Sequence, residues 1–222
     1  EVLGAEVLPG FSNNTINRLL LDSRQYSSSE GVLFFALRGK NHDGHSYIQS
    51  LLQKGVRNFV VEEIPRDMPE GNFLKVRNTL VSLQRLAAYN RQSYNAPVVG
   101  ITGSNGKTVV KEWLAIVLET SYRACRSPKS YNSQIGVPLS VWELGPDDEI
   151  AIFEAGISQP GEMDHLEKIL KPEMGIFTNI GSAHEANFES RKQKIREKLK
   201  LYTNCQRLGY EAGNTERSTE IK

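Results

Sequence analysis

Apolar and polar positions along this chain follow two periods, the short and nearly unbroken apolar runs of strands and the three-and-four spacing of helices. Runs over residues 16–21, 32–37, 58–61 and 73–76 predict strands, and residues 47–53 a helix. Asn78 then caps a longer helix whose Leu80, Leu83, Leu86 and Ala87 form one apolar stripe, ended by Asn95-Ala96-Pro97. A boundary near Asn95 makes residues 1–95 a small α/β unit. From Pro97 onward strands and helices alternate, with strands over 98–102, 122–125, 150–154, 175–178 and 207–210. Between them Val110, Trp113, Leu114, Val117 and Leu118 give one inward helix stripe. Met163, Leu166 and Leu170 give a second, stopped at Lys171-Pro172, and Ile195, Leu199 and Tyr202 a third. The fold class expected is therefore α/β, a small first unit followed by a mostly parallel sheet covered on both faces. The tail over 213–222 is polar, and a sheet that ends so soon after its last motif is expected to be incomplete over 96–222.

Composition narrows the partners. A length of 222 residues allows two domains, each with its own core, and a formal charge of +1 leaves no basic surplus of the kind that nucleic acid requires. Cys125 and Cys205 lack C-x-x-C spacing, which argues against a structural metal or a disulfide framework and fits reduced thiols in a cytoplasmic protein. No apolar run approaches the roughly 20 residues needed to span a bilayer, and nothing near Glu1 resembles a signal peptide.

The chemistry concentrates at strand ends. The apolar run into Gly100-Ile101-Thr102-Gly103-Ser104-Asn105-Gly106-Lys107-Thr108 breaks into a glycine-rich turn and opens a helix. Backbone N–H groups of such a turn converge on an anion, Lys107 can reach terminal phosphates, and the Thr108 hydroxyl can hold Mg²⁺. Strict Walker spacing wants glycine at 101, where this chain has Ile101. Glu154, at the end of the strand over 150–154, is either a Mg²⁺ ligand or a solvated strand-end charge. Thr178-Asn179-Ile180-Gly181-Ser182-Ala183-His184 runs from a strand end into a loop, where His184 is a site residue or surface decoration. Asn41, Asp43 and His45 offer substrate contact or turn chemistry. Lys198 lies about 60° from Ile195 at the margin of the inward stripe, a position from which lysines commonly snorkel outward. Lys194, Arg196 and Lys200 are expected to point away.

In this order the motifs resemble the Mur ligase family, the ATP-dependent amide-forming enzymes of peptidoglycan precursor synthesis, over about Asp22 to Lys198. Asp22-Ser23-Arg24, Gly31 to Gly39 and Asp43-Gly44-His45 are similar to the amino-terminal domain that holds the UDP end of the substrate, which implies substrate roles for Ser23, Arg24, Asn41, Asp43 and His45. Gly100 to Thr108 is similar to the family's own phosphate loop, which accounts for the departure at Ile101 and implies nucleotide contacts from Thr102, Gly103, Ser104, Asn105, Gly106, Lys107, Thr108 and Asn179. Asn132, in Tyr131-Asn132-Ser133-Gln134, resembles the asparagine near the reacting groups. The resemblance further implies two Mg²⁺ ions held by Thr108, Glu154, His184 and a carbamylated Lys198, which lies 14 positions past His184. It makes Lys107, Asn132, His184 and Lys198 the catalytic set.

Ala183-His184, where MurE-like sequences usually carry Asp-His, favours the branch that adds D-Ala-D-Ala to UDP-MurNAc-tripeptide. The rivals are other ligases of the superfamily, including a folylpolyglutamate synthase, and a non-catalytic nucleotide-binding module. A P-loop GTPase or kinase is disfavoured, because Glu154 and the Asn179/His184 loop replace its usual residues. The family pattern implies a carboxyl-terminal ligase domain that these residues do not build, with room for a further fused domain. The chain alone is expected to bind nucleotide weakly at best and to catalyse nothing.

Overall fold

The computed structural model describes residues 1–7, 14–39, 41–66, 71–181 and 187–211. The chain divides into two units, Glu1–Leu86 and Ala87–Lys222. In the first, strands β1 (Glu6–Val7), β2 (Arg18–Leu20), β3 (Val32–Phe35), β4 (Asn58–Val61) and β5 (Asn72–Lys75) form one sheet in the order β1-β5-β4-β3-β2. β2 to β5 are parallel, and β1 closes the edge antiparallel to β5. Helices α1 (Ile48–Gln53) and α2 (Thr79–Gln92) follow β3 and β5. β3 and β4 are buried along their whole length, as strands covered on both faces must be. Phe34, Phe59 and Phe73 pack with Ile48 and Leu51 on one face, and Leu33, Phe35 and Val60 with Leu83 on the other. Asn78 accepts a hydrogen bond from Val81 N at 2.9 Å, the cap expected for α2. The division between units falls inside this helix, because Ala87 belongs to the second core and Asn90 donates to the carbonyls of Val141 and Leu144.

The second unit contains β6 (Val98–Thr102), α3 (Lys107–Leu118), β7 (Ala124–Arg126), α4 (Gly136–Trp142), β8 (Ile150–Glu154), α5 (Glu162–Leu170), β9 (Met174–Phe177), α6 (Arg191–Leu199) and β10 (Arg207–Tyr210). Its sheet has the order β10-β9-β6-β8-β7, and every pairing is parallel. β6 is the first strand in sequence and lies between β8 and β9, so the winding reverses at its carboxyl end. That is where an open parallel sheet leaves a crevice. β6 and β8 are fully buried, and burying Ile101 or Ile152 contributes on the order of 2 kcal/mol each.

Two local expectations are corrected. Trp113 and Val117 are 69% and 66% exposed, and the buried face of α3 is instead Lys111 and Ala115 flanked by Val110, Leu114 and Leu118. The strand expected over 122–125 is Ala124–Arg126. The segment after Tyr131 turns into helix α4 at Gly136, which tolerates Pro138 because its missing N–H falls in the first turn. One wedge shapes the crevice. The Tyr202 hydroxyl accepts from Thr102 N at 3.2 Å and donates to Ile176 O at 2.7 Å, bonding backbone of β6 and β9, while Gly175 leaves room for its ring.

Candidate functional site

The site begins where β6 stops. Thr102 Oγ1 donates to Ala155 O at 2.7 Å, tying the end of β6 to that of β8. Gly103 then takes φ +146°, a backbone state that residues with a Cβ rarely adopt, and a Cβ there would lie 2.0 Å from Thr178 Oγ1. Gly106 takes φ +80° and precedes α3 without any side-chain cap, which leaves the first N–H groups of the helix available to an anion. The segment after β9 holds this loop in shape. Asn179 O accepts from Ser104 N at 2.8 Å, Asn179 Oδ1 accepts from Asn105 N at 3.0 Å, and Thr178 Oγ1 donates to Asn105 O at 2.7 Å.

Three lysines converge on this loop. Lys107 Nζ folds back on the carbonyls of Gly103 at 2.9 Å and Ser104 at 3.4 Å. Lys198 points inward, 3% exposed, with Nζ 3.2 Å from Gly103 O. Lys194, expected to face away, is 1% exposed and donates to Gly181 O at 2.7 Å. It lies one helical turn before Lys198, so both project from one face of α6. Burial weakens the basicity of Lys107, an effect that Glu154 opposes and Lys194 reinforces. Burial first, then the like charges of Lys107 and Lys194, push Lys198 down to about 7.

The opposite wall carries the carboxylate. Glu154 is fully buried at the end of β8, and its Oε2 accepts from Thr108 Oγ1 and Asn132 Nδ2, both at 3.2 Å. Its Oε1 is buried without a hydrogen-bond partner, with Lys111 Nζ 3.4 Å away. A buried carboxylate oxygen left this way calls for a cation, and a carboxylate beside a hydroxyl suits Mg²⁺, which takes oxygen ligands and draws many of them from phosphate and water. Among the described residues no three His, Cys, Asp or Glu side chains gather as a metal cluster. His184 lies outside the described residues.

In the first unit the expected substrate residues fall at the carboxyl ends of the parallel strands. Ser23 and Arg24 open a short 3₁₀ turn after β2, where Asp22 accepts from Arg24 N at 3.0 Å and from Arg24 Nη2 at 2.7 Å. The Arg24 guanidinium holds the Asp22 carboxyl down at about 2. Asn41 is exposed after β3, and Asp43 caps the next turn. His45 Nδ1 lies 2.6 Å from Asp43 Oδ1 while its Nε2 accepts from Glu62 N at 3.0 Å. Both ring nitrogens are thus committed within the protein, which gives His45 a part in shaping the turn.

Comparison with known proteins bears on both units. Residues 101–218 match the Mur ligase middle domain, and residues 15–94 match the Mur ligase family, catalytic domain. The chain belongs to the Mur ligase family. A UDP-N-acetylmuramoyl-tripeptide--D-alanyl-D-alanine ligase of Bacillus subtilis is 33% identical over 90% of this chain and 44% of its own length. Among solved structures, MurF from Acinetobacter baumannii superposes with a TM-score of 0.82 at 30% identity, over 93% of this chain and 46% of that one. The MurF ligase of Thermotoga maritima, solved in complex with ADP, gives 0.76 at 29% identity, over 86% of this chain and 44% of that one. This Mur ligase chain therefore spans less than half the length of the relatives it matches. Two of its crevice residues, Lys111 and Lys194, escape sequence reasoning, since a lysine in a helix reads as a solvated position. The weak signal for Lys111 was its place one turn after Lys107 and Thr108, on the helix that opens the phosphate loop.

Proposed function

We propose that this chain carries the UDP-substrate-binding and ATP-binding parts of a cytoplasmic ligase that joins D-Ala-D-Ala to UDP-MurNAc-tripeptide during peptidoglycan precursor synthesis. The observation that carries the reading is the convergence, at the carboxyl end of β6, of the Gly103–Gly106 turn, the Lys107 and Lys198 ammoniums and the buried Glu154 carboxylate. The kinship with UDP-N-acetylmuramoyl-tripeptide--D-alanyl-D-alanine ligases and the ADP in the Thermotoga maritima structure support it.

In this reading the loop amides and Lys107 hold the outer phosphates of ATP. A carboxylate oxygen of the UDP-bound peptide attacks the γ-phosphorus, ADP departs, and an acyl phosphate forms. The amine of D-Ala-D-Ala then attacks the acyl carbon, phosphate leaves, and the amine's proton is lost to a base or solvent. Positioning and charge neutralisation dominate phosphoryl transfer, which suits a site built of backbone donors and cations. Thr108 and Glu154, with His184 and a carbamylated Lys198, would hold two Mg²⁺ ions, whose chemistry is to offset charge on the phosphoryl oxygens. Asn132 orients Glu154 through its amide. Ser23, Arg24, Asn41, Asp43 and His45 would line or shape the UDP end.

Calorimetric titration of this chain with Mg²⁺-ADP tests the cradle. Lys107→Ala removes a charge-assisted contact, and affinity is expected to fall about tenfold. Unchanged affinity would refute the phosphate-loop assignment. An assay of ADP release with UDP-MurNAc-tripeptide and D-Ala-D-Ala, run on the longer gene product, tests the ligase reading.

A further inference from the structure

We infer that Lys111 is a positioning residue that withholds the Glu154 carboxylate from free divalent metal, so that the crevice captures a metal ion only together with nucleotide phosphate. The inference rests on the reading of Glu154 as the metal-holding carboxylate and adds an order of binding to it.

Lys111 is 0% exposed, on the face of α3 that packs against the sheet. Its Nζ donates to Ser127 O at 2.7 Å and Lys129 O at 2.5 Å, and it pairs with Glu112 at 2.9 Å and Glu154 at 3.4 Å. An ammonium has three donors, so these four acceptors cannot all be served at once. The two carbonyls fix the segment that leads to Ser130 and Asn132, and the two carboxylates share what is left. Glu154 is the one held at longer range, with no hydrogen bond to its Oε1. The carboxylate is therefore electrostatically matched while its coordination stays unfinished.

The surrounding charge points the same way. Lys107, Lys111 and Lys194 lie in or beside this crevice, against one fully buried carboxylate. A bare dication entering there meets net positive charge in a region of low dielectric, where repulsion between charges a few ångströms apart is large. A polyphosphate inverts that balance, and Lys107 can exchange the Gly103 carbonyl for a phosphate oxygen. Metal and nucleotide then arrive as a pair, and the empty site does not sequester metal.

The experiment is a Mn²⁺ titration of the nucleotide-free chain followed by electron paramagnetic resonance. Wild type and Lys111→Arg are expected to bind Mn²⁺ weakly and alike. Lys111→Gln keeps an N–H donor for the carbonyls but removes the charge, and is expected to bind Mn²⁺ about tenfold more tightly, a gain that Glu154→Gln in the same chain abolishes. Equal Mn²⁺ affinity in wild type and a folded Lys111→Gln chain overturns the inference. So does tight Mn²⁺ uptake by the nucleotide-free wild type that Glu154→Gln removes, an outcome independent of whether Lys111→Gln folds. Failure of wild type to bind Mg²⁺-ADP would fall on the phosphate-loop reading alone, because the Lys111 comparison is made without nucleotide.

Discussion

A Gly103→Ala chain is expected to melt about 10 °C below wild type and to lose nucleotide binding by at least about a hundredfold. Two costs fall on the same position. The backbone φ of +146° is strained for any L side chain, and the new methyl would lie 2.0 Å from Thr178 Oγ1 and 3.0 Å from the backbone N and O of Asn179. Such a combination costs roughly 3 kcal/mol, which in a unit of this size moves the midpoint by several degrees per kcal/mol. The functional loss accompanies the stability loss because the residues that must yield hold the phosphate loop. Thr178 bonds Asn105 O, and Asn179 bonds the amides of Ser104 and Asn105. A double variant with Thr178→Ala relieves the overlap with the threonine hydroxyl but neither the close approach to the Asn179 backbone nor the φ strain. It is expected to recover part of the lost stability and little of the binding, giving a clear non-additive term in a double-mutant cycle. Full recovery of both would show that space alone makes this residue glycine.

Replacing Lys198 with methionine should have the opposite effect on stability. Burial and the neighbouring ammoniums hold Lys198 near 7 in the folded chain, whereas an unfolded lysine titrates near 10.4. Between those values the unfolded chain carries a proton that the folded chain lacks. Wild-type stability therefore rises with pH through that window and is given up as pH falls toward 7. Lys198→Met removes the cost, and in CO₂-free buffer it is expected to gain on the order of 2–4 kcal/mol at pH 7, shrinking toward zero near pH 10. Denaturant melts from pH 6.5 to 10 check this, and a gain that does not vary with pH would place the cause in packing instead. The same neutral amine is the form that reacts with CO₂. With ¹³C-labelled bicarbonate, a carbamate signal is expected to grow as pH rises above 7 and to be missing from Lys198→Met.

The parallel sheet of the second unit and the glycine turn after β6 were legible because strands buried on both faces are long apolar runs and a glycine turn interrupts them visibly. β6, β8 and β10 fall at the residues expected. Helix α3 was misphased for a physical reason. Trp113 and Val117 dominate an apolar pattern, whereas Lys111 and Ala115, which occupy the buried face, contribute little to it. The same blindness hid Lys194, whose charge argues for solvent until Gly181 O and the interior of the crevice are seen around it. Lys198 was ambiguous by periodicity and was singled out only by family resemblance. Glu154 could be read as a strand-end acid, but its burial could not, because that depends on the segment around Asn132 folding over it. His45 shows the limit in the other direction, since a turn histidine looks available until Asp43 and the Glu62 amide claim both nitrogens.

Both tryptophans of the chain, Trp113 and Trp142, lie in the unit that runs from Ala87 onward. Indole emission accordingly follows the nucleotide-site unit selectively, and the amino-terminal unit is silent in that channel. Far-ultraviolet dichroism sees the two together, so any gap between the two traces measures how far the units melt independently.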